Sequence, residues 1–139
     1  NLLKLTGVDK KYVEFIKDSL FKIDDLTLNM QPTIHTPKLQ CFGIMFEDKD
    51  GKYYYTGDTN DIGYIRKICE DNSVKKIYTE VATETYDVHI KYDDIVNLDK
   101  EKLVLMHFDT IDLYNKAREE GFKTACIKGS DNDEWRKVN

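Results

Sequence analysis

The apolar pattern changes partway along the chain, and this change constrains the fold more than any other feature. In the first part, strand patterns follow one another: residues 26–30 alternate apolar and polar side chains, and dense apolar runs cover 39–46 and 52–56. The turn between the two runs ends in Gly51, which favours a tight hairpin. We therefore expect strands in this part, with Pro32 interrupting the pairing of the first one.

After residue 56, helix patterns and strand patterns alternate. The predicted helices cover residues 62–69, 90–97 and 114–121, and the predicted strands cover residues 74–81, 103–108 and 122–127. Such alternation requires crossover connections, which predicts an α/β (α+β) layer arrangement. A capping motif at residues 6–9 predicts a further helix over residues 9–20, and residues 129–139 are predicted to form a loose polar tail.

Composition favours one folded domain over residues 1–139. Forty per cent of the residues are hydrophobic, enough for a core, and the net charge of −5 disfavours non-specific binding to nucleic acid or anionic lipid. There is neither an apolar stretch of membrane-spanning length nor a secretion signal at the start of this sequence. The widely spaced cysteines, interpreted as reduced, indicate a cytoplasmic protein. Because the chain opens on Asn1 and not on Met, its start is interpreted as a cut within a longer protein.

The three cysteines of the chain are far apart and odd in number. They are Cys41, Cys69 and Cys126, and none of them forms a metal-binding pair in the sequence. We interpret them as reduced thiols that serve mainly as small core residues.

The chain has only three histidines, and two of them occupy informative positions. His107 ends a compact apolar strand, His35 follows the first strand region, and Asp58 lies just past the strand at 52–56. In α/β sheets, ligands usually bind at the carboxyl ends of the strands. Two imidazoles and a carboxylate are a suitable partial ligand set for zinc or a related divalent metal.

Each of these residues also has a structural interpretation. Asp58 and the three residues after it precede a predicted helix, so any of the four could be its N-cap. A single histidine at a strand end, such as His107, is more often a hydrogen-bonded structural residue than a ligand. The same holds for His35, which lies beside a turn that contains Pro37.

The order of these motifs resembles the middle and end of metallo-β-lactamase-fold proteins. His35 precedes Leu39-Gln40-Cys41-Phe42-Gly43-Ile44-Met45-Phe46, a hairpin follows, and Tyr54-Tyr55-Thr56-Gly57-Asp58-Thr59 resembles the strand end that supplies the family's bridging aspartate. Lys76-Ile77-Tyr78-Thr79-Glu80 and Leu103-Val104-Leu105-Met106-His107-Phe108 resemble the later strands. The resemblance covers about residues 24–127. It implies half of an αββα sandwich, a mixed sheet with helices on one face.

The resemblance also implies a metal site and a chemistry. His35 would bind one ion, Asp58 would bridge two, and His107 would bind the second; the ions would be two divalent metals, zinc or manganese. Two such ions activate water for attack on a phosphodiester or a small ester and stabilise the charge that develops. The implied substrate is a small molecule, with a nucleotide among the possibilities.

Glu80 and His89 form a second candidate pair, so that the implied catalytic residues are Asp58, Glu80 and His89. The pair resembles the Glu and His that phosphodiesterase members, such as the tRNA 3′-processing enzymes, use to protonate the leaving oxygen. The spacing between Glu80 and His89 is short for that subgroup. The alternative is that His89 is a surface residue at the start of a helix.

The sequence departs from the family in lacking the His-x-His-x-Asp-His segment of the N-terminal half, which supplies most of the metal ligands. We therefore expect the chain to need a partner: the missing half, a second copy of itself, or the rest of a larger protein. Alone, it should bind metal weakly and be inactive. The alternative function is a non-catalytic dimerisation or partner-binding module derived from the fold, and a nucleic-acid-binding role is the least favoured.

Overall fold

Seven strands form one mixed sheet, and their order in the sheet is the same as their order in the chain. The structure is a computed structural model that describes residues 9, 11, 18–85 and 87–125. The strands are β1 Leu20–Ile23, β2 Leu26–Thr33, β3 Cys41–Asp48, β4 Gly51–Tyr55, β5 Val74–Val81, β6 Leu103–Phe108 and β7 Lys123–Thr124. The helices between them are α1 Ile62–Glu70, α2 Tyr92–Ile95 and α3 Ile111–Glu119. The predicted fold class, a mixed sheet with helices, is confirmed.

Strands β1 to β4 are antiparallel and follow one another through turns. Between β3 and β4, Asp48 pairs with Gly51, so only two residues form the turn. The Asp48 carboxylate accepts hydrogen bonds from the backbone N–H groups of Asp50 and Gly51. Gly51 has a φ of 148°, which a residue with a Cβ rarely adopts. The hairpin predicted from the sequence is confirmed.

Strands β4 to β7 are parallel, and a helix lies in each connection between them. Buried side chains of all three helices, such as Ile65, Ile95 and Leu113, pack in one cluster, so the helices lie on the same face of the sheet. On that face Ile77, Leu103 and Leu105 are completely buried, and Tyr54 packs edge-on against Tyr64 of α1. The hydrophobic core therefore lies between this part of the sheet and the helices.

The strand directions bring the candidate site residues to one edge. Because β2 and β4 are each antiparallel to β3, they point the same way, and β5 and β6 are parallel to β4. The carboxyl ends of these four strands therefore meet at one edge of the sheet. The candidate site residues lie near the ends of these strands or in the segments that follow them.

Two sequence-based predictions about the first part need correction. The pairing of β2 continues through Pro32, which lies opposite Phe42. The backbone N–H of Met30 points to the β1 side, where it donates to the carbonyl oxygen of Ser19 just before β1, and residues two apart point to the same side. The nitrogen of Pro32 therefore faces away from β3, so the missing N–H does not interrupt their ladder. Leu20, predicted as the end of a helix, begins β1 instead.

The remaining predictions agree with the structure to different extents. The helix predicted at 90–97 is one turn, Tyr92–Ile95, and the last strand is Lys123–Thr124 where it is described. Residues 10 and 12–17 of the predicted first helix, and the predicted tail at 129–139, lie outside the described residues. Cys41 and Cys69 are free thiols, whereas Cys126 lies outside the described residues. None of the helices in the described part of the chain is long and apolar enough to cross a membrane.

Candidate metal centre

Asp58 lies in the loop between β4 and α1, and it is not the cap of that helix. The N-cap is Asp61, whose carboxylate accepts from the backbone N–H of Tyr64 at 2.9 Å. The chain reaches Asp58 through Gly57, which has a φ of 62° and lies so close to the carbonyl oxygen of Phe42 that a Cβ would be 2.8 Å from it. With the capping role taken by Asp61, the Asp58 carboxylate is available for the site.

His107 lies at an irregularity in β6 that turns its ring toward Asp58. The pairing of β5 with β6 shifts between Glu80 and Val81, so that Met106 and Phe108 have partners and His107 has none. His107 has a φ of 50°, a left-handed conformation that costs a residue with a side chain about 1–3 kcal/mol. Its Nδ1 lies 3.0 Å from Oδ1 of Asp58. Bulges that redirect a side chain in this way are frequent beside active sites.

Glu80 connects the candidate residues to one another. Its carboxylate is 3% exposed. One oxygen, Oε1, accepts from the backbone N–H of Thr59 at 2.6 Å, and the other, Oε2, lies 2.5 Å from Nδ1 of His89 and 3.8 Å from Nδ1 of His107. Burial raises the pKa of Glu80, while the Thr59 N–H and His89 act against that rise because both favour the carboxylate.

A tight loop brings His89 back to Glu80 despite the short spacing in sequence. The backbone N–H of Ala82 donates to Ile90, and that of Tyr92 donates back to Ala82, so the loop between them closes on itself. The ring of His89 is half-buried against Glu80, and α2 begins only at Tyr92. The structure therefore supports the pairing with Glu80 over the alternative of a surface histidine at a helix start.

His35 lies two residues beyond β2, beside His89. Its Nδ1 is 2.7 Å from the carbonyl oxygen of Val88, and the centres of the His35 and His89 rings are 5.2 Å apart. A carbonyl oxygen can only accept, so Nδ1 of His35 carries the proton and donates it. In the neutral ring, Nε2 then has a free lone pair, as histidine ligands of metals commonly do when a carbonyl holds the other nitrogen.

The donor atoms form two adjacent groups that share Glu80. One group is Asp58, Glu80 and His107, and the other is His35, Glu80 and His89; within each, the donor atoms lie within 4.8 Å of one another. The three ligands predicted from the sequence, His35, Asp58 and His107, thus divide between the two groups and do not surround one point. Carboxylate oxygens and imidazole nitrogens are donors that divalent zinc and manganese accept, so the residues fit a metal centre.

The exposure of the donors indicates where further ligands could approach. The side chain of His107 is 59% exposed and that of Asp58 is 44% exposed, although both belong to the donor set. Three or four protein donors usually complete a zinc site. The open side of these two residues therefore leaves space for ligands from outside the described residues.

Sequence reasoning missed the role of Thr59, which it considered only as a helix cap. Thr59 is 1% exposed, and besides its contact with Glu80 its hydroxyl donates to the carbonyl oxygen of Ile34 at 2.8 Å. The same hydroxyl accepts from the backbone N–H of Asp61 at 3.0 Å. The position of Thr59 next to Asp58 was the only signal, because its contacts join segments far apart in the chain.

Residues 9–130 match the sequence profile of a family described as Anti-Pycsar protein Apyc1. The chain belongs to this family. No curated protein sequence is similar enough to the chain to count as a relative.

Two solved structures show the fold. The metallo-β-lactamase-fold protein YhfI from Bacillus subtilis is similar with a TM-score of 0.61 and 17% identity, over 83% of this chain and 52% of that one. The isothiocyanate hydrolase from Delia radicum gut bacteria has a TM-score of 0.61 and 16% identity, over 90% of this chain and 61% of its own. The predicted metallo-β-lactamase fold is confirmed, and the chain spans about half to three-fifths of these proteins.

Proposed function

We propose that this chain contributes one half of the metal centre of a hydrolase that cleaves a phosphodiester or another small ester. The observation that carries the proposal is the convergence of Asp58, Glu80 and His107 from the ends of β4, β5 and β6 on one group of donor atoms. A second group, with His35 and His89, lies directly beside it. Together the two groups bring two carboxylates and three imidazoles to one sheet edge, and these are donor types that divalent metals accept.

The proposed roles follow the resemblance to metallo-β-lactamase-fold proteins, although Glu80, and not Asp58, is the residue that the two donor groups share. We assign Nε2 of His35 to one ion, the carboxylate of Asp58 to a bridging position, and His107 to a second ion. Two divalent ions, zinc or manganese, would activate a water molecule and stabilise negative charge on the substrate. Glu80, held by the Thr59 N–H, is placed to fix other groups in the site, since both of its oxygens already have partners.

The Glu80–His89 pair favours a substrate whose leaving oxygen needs a proton. Since Nδ1 of His89 faces Oε2 of Glu80, the nitrogen left to hold a transferable proton is Nε2. The carboxylate stabilises the charged imidazole before the transfer and keeps the ring in place. An alkoxide leaving group, as in a phosphodiester, gains most from such a donor. The family is described as anti-Pycsar, and we propose that the hydrolysis serves that role.

The open face of the sheet supports the need for a partner. We define the open face as the apolar side chains on the side opposite the helices: Phe21, Leu28, Met30, Ile44, Phe46, Tyr53, Tyr55, Tyr78, Val104 and Met106. Each of them is half-buried or exposed. We propose that a segment with a His-x-His-x-Asp-His sequence covers this face and supplies the remaining ligands, since the structurally similar proteins are longer than this chain.

Metal binding tests the proposal without requiring activity. We expect the purified chain to bind zinc weakly in equilibrium dialysis, and His107→Ala and Asp58→Asn to abolish this binding. Asp25→Asn is the matched control, because Asp25 is exposed and lies in the turn between β1 and β2, away from the site edge. Equal zinc binding by all four proteins would contradict the proposal, as would hydrolysis by the isolated chain at the rate of a complete enzyme.

The open face also favours a second candidate function, a non-catalytic dimerisation or partner-binding module. Its aromatic residues include the stacked pair of Phe46 and Tyr53, whose ring centres are 5.3 Å apart. Sedimentation and zinc analysis together distinguish the two functions. A stable dimer that binds no zinc would favour the module, whereas zinc binding that depends on His107 favours the hydrolase.

A further inference from the structure

The loop between β5 and α2 holds His89 in a backbone conformation that requires support. Asp87, two residues before His89, has a φ of 60°, which costs a non-glycine residue about 1–3 kcal/mol. Its side chain is exposed, so packing does not impose this conformation. The support must come from hydrogen bonds to the loop backbone.

Most hydrogen bonds near Asp87 lie within the loop. The backbone N–H groups of Val88 and His89 both donate to the carbonyl oxygen of Thr85 at 2.8 Å, and that of Asp87 donates to the Thr85 hydroxyl. These contacts curve the loop but do not attach it to the sheet. The start of the loop is attached through Thr83, which donates to Asp109.

Three contacts attach the end of the loop to the candidate site. His89 contacts Glu80, His35 contacts the carbonyl of Val88, and Nδ2 of Asn60 donates to the carbonyl of Asp87 at 2.5 Å. The first two involve residues with proposed roles in catalysis or metal binding. Asn60 has no such role, and it does not cap α1, because Asp61 does.

Asn60 is itself firmly placed. Its backbone N–H donates to the carbonyl of Ile34 at 2.8 Å, and it follows Thr59, whose N–H donates to Glu80. Two consecutive residues therefore hold both members of the proton-donating pair: Thr59 holds Glu80, and Asn60 holds the loop that carries His89.

We propose that Asn60 is a positioning residue whose carboxamide fixes the strained backbone at Asp87 and thereby directs His89 toward Glu80. The role of His89 as a proton donor rests on the proposed function. The effect of Asn60 on the orientation of His89 does not require bound metal. Without the Asn60 donor, Asp87 relaxes toward negative φ, and the His89 ring loses its fixed orientation.

The test uses the full chain and two variants that remove the donor, Asn60→Asp, which keeps the side-chain shape, and Asn60→Ala. We expect amide hydrogen exchange at Val88 and His89 to become about three- to tenfold faster in both, the effect of one lost hydrogen bond. Exchange at Leu105, in the core strand β6, should not change. The Nδ1 nitrogen resonance of His89 should shift toward that of a ring without a hydrogen bond. Asn97→Ala, an exposed asparagine, is the control and should change neither signal.

Unchanged exchange and an unchanged His89 resonance in Asn60→Asp would overturn the inference. A general increase in exchange that includes Leu105 would also overturn it, because Asn60 would then only stabilise the fold. Zinc dialysis separates this outcome from the proposed function: we expect the Asn60 variants to bind zinc as the unchanged chain does. If the unchanged chain binds no zinc, the proposed function fails, but the exchange data still decide the role of Asn60.

Discussion

The parallel part of the sheet, from β4 to β7 with its helices, is packed very differently from the antiparallel part, from β1 to β3. Among the described residues, every buried apolar side chain lies between Tyr54 and Phe122, in the parallel part. The antiparallel part contributes only side chains that are half-buried or exposed, of which Met45 packs against the core. The parallel part thus has its own core, whereas the side chains of the antiparallel part remain at least partly accessible to solvent.

The candidate site lies across both parts but depends mainly on the packed one. Asp58, Glu80, His89 and His107 follow or lie in strands of the parallel part, and only His35 comes from the antiparallel part. His35 is held in place through neighbours: Ile34 accepts hydrogen bonds from Thr59 and Asn60. The donor geometry is therefore built largely by the core that the chain already has.

The largest difference should appear when core residues of the two parts are truncated. Leu105→Ala removes a completely buried side chain from β6 and should lower the free energy of unfolding by about 2–5 kcal/mol. Phe46→Ala removes a half-buried side chain of the open face, so we expect a clearly smaller loss. Urea denaturation measures both. Equal losses would show that the open face is packed in the isolated chain.

A smaller effect is expected at Thr59, where the two parts are joined. Thr59→Val keeps the shape but removes the hydroxyl that donates to Ile34 and accepts from Asp61, so we expect a loss of about 1–3 kcal/mol. Thr59→Ser retains the hydroxyl and should lose less. Zinc affinity should fall in Thr59→Val as well, by about 10- to 100-fold, because the lost hydroxyl positions Ile34, which directly precedes the proposed ligand His35. A stable Thr59→Val variant with unchanged zinc affinity would contradict this role.

The smallest effect is expected on stability at alkaline pH, where two neighbouring tyrosines on opposite faces of β4 can be compared. Burial raises the pKa of both Tyr53 and Tyr54, but Tyr54 is 1% exposed and Tyr53 is half-buried. A raised tyrosine pKa means that the folded state resists ionisation, so stability is full below pH 10 and falls as the pH rises above it. Tyr54→Phe should remove more of this alkaline loss than Tyr53→Phe. Thermal unfolding between pH 8 and about 11 tests this, and equal effects of the two variants would contradict the difference in packing.

Local features of the sequence predicted most of the elements. The Asp48–Gly51 turn, the helical spacing after residue 61 and the compact strand ending near His107 each depend on neighbouring residues alone. Pro32 misled the prediction, because whether a proline disrupts a strand depends on which side its nitrogen faces, and only the sheet decides this. The sequence could place the ends of the strands but not their surroundings.

The candidate site was predicted in its residues but not in its arrangement. The sequence singled out His35, Asp58 and His107 as metal ligands and Glu80 with His89 as a proton-donating pair. The bulge at His107 and the closed loop before His89 could not be predicted, because they arise from pairing between distant segments. Asp58 and Asp61 are equally good cap residues in sequence, and only the fold assigns the cap to Asp61. Thr59 and Asn60 were missed as supports because they act through backbone groups of segments far away in the chain.

The most direct measurement of the central claim, that this chain supplies half of a metal centre, is X-ray diffraction at the zinc absorption edge from crystals of the chain soaked in zinc. We predict an anomalous peak about 2.0–2.2 Å from a carboxylate oxygen of Asp58 and an imidazole nitrogen of His107. The peak should disappear in His107→Ala. Zinc bound elsewhere with this edge empty, or a peak that persists without His107, would contradict the claim.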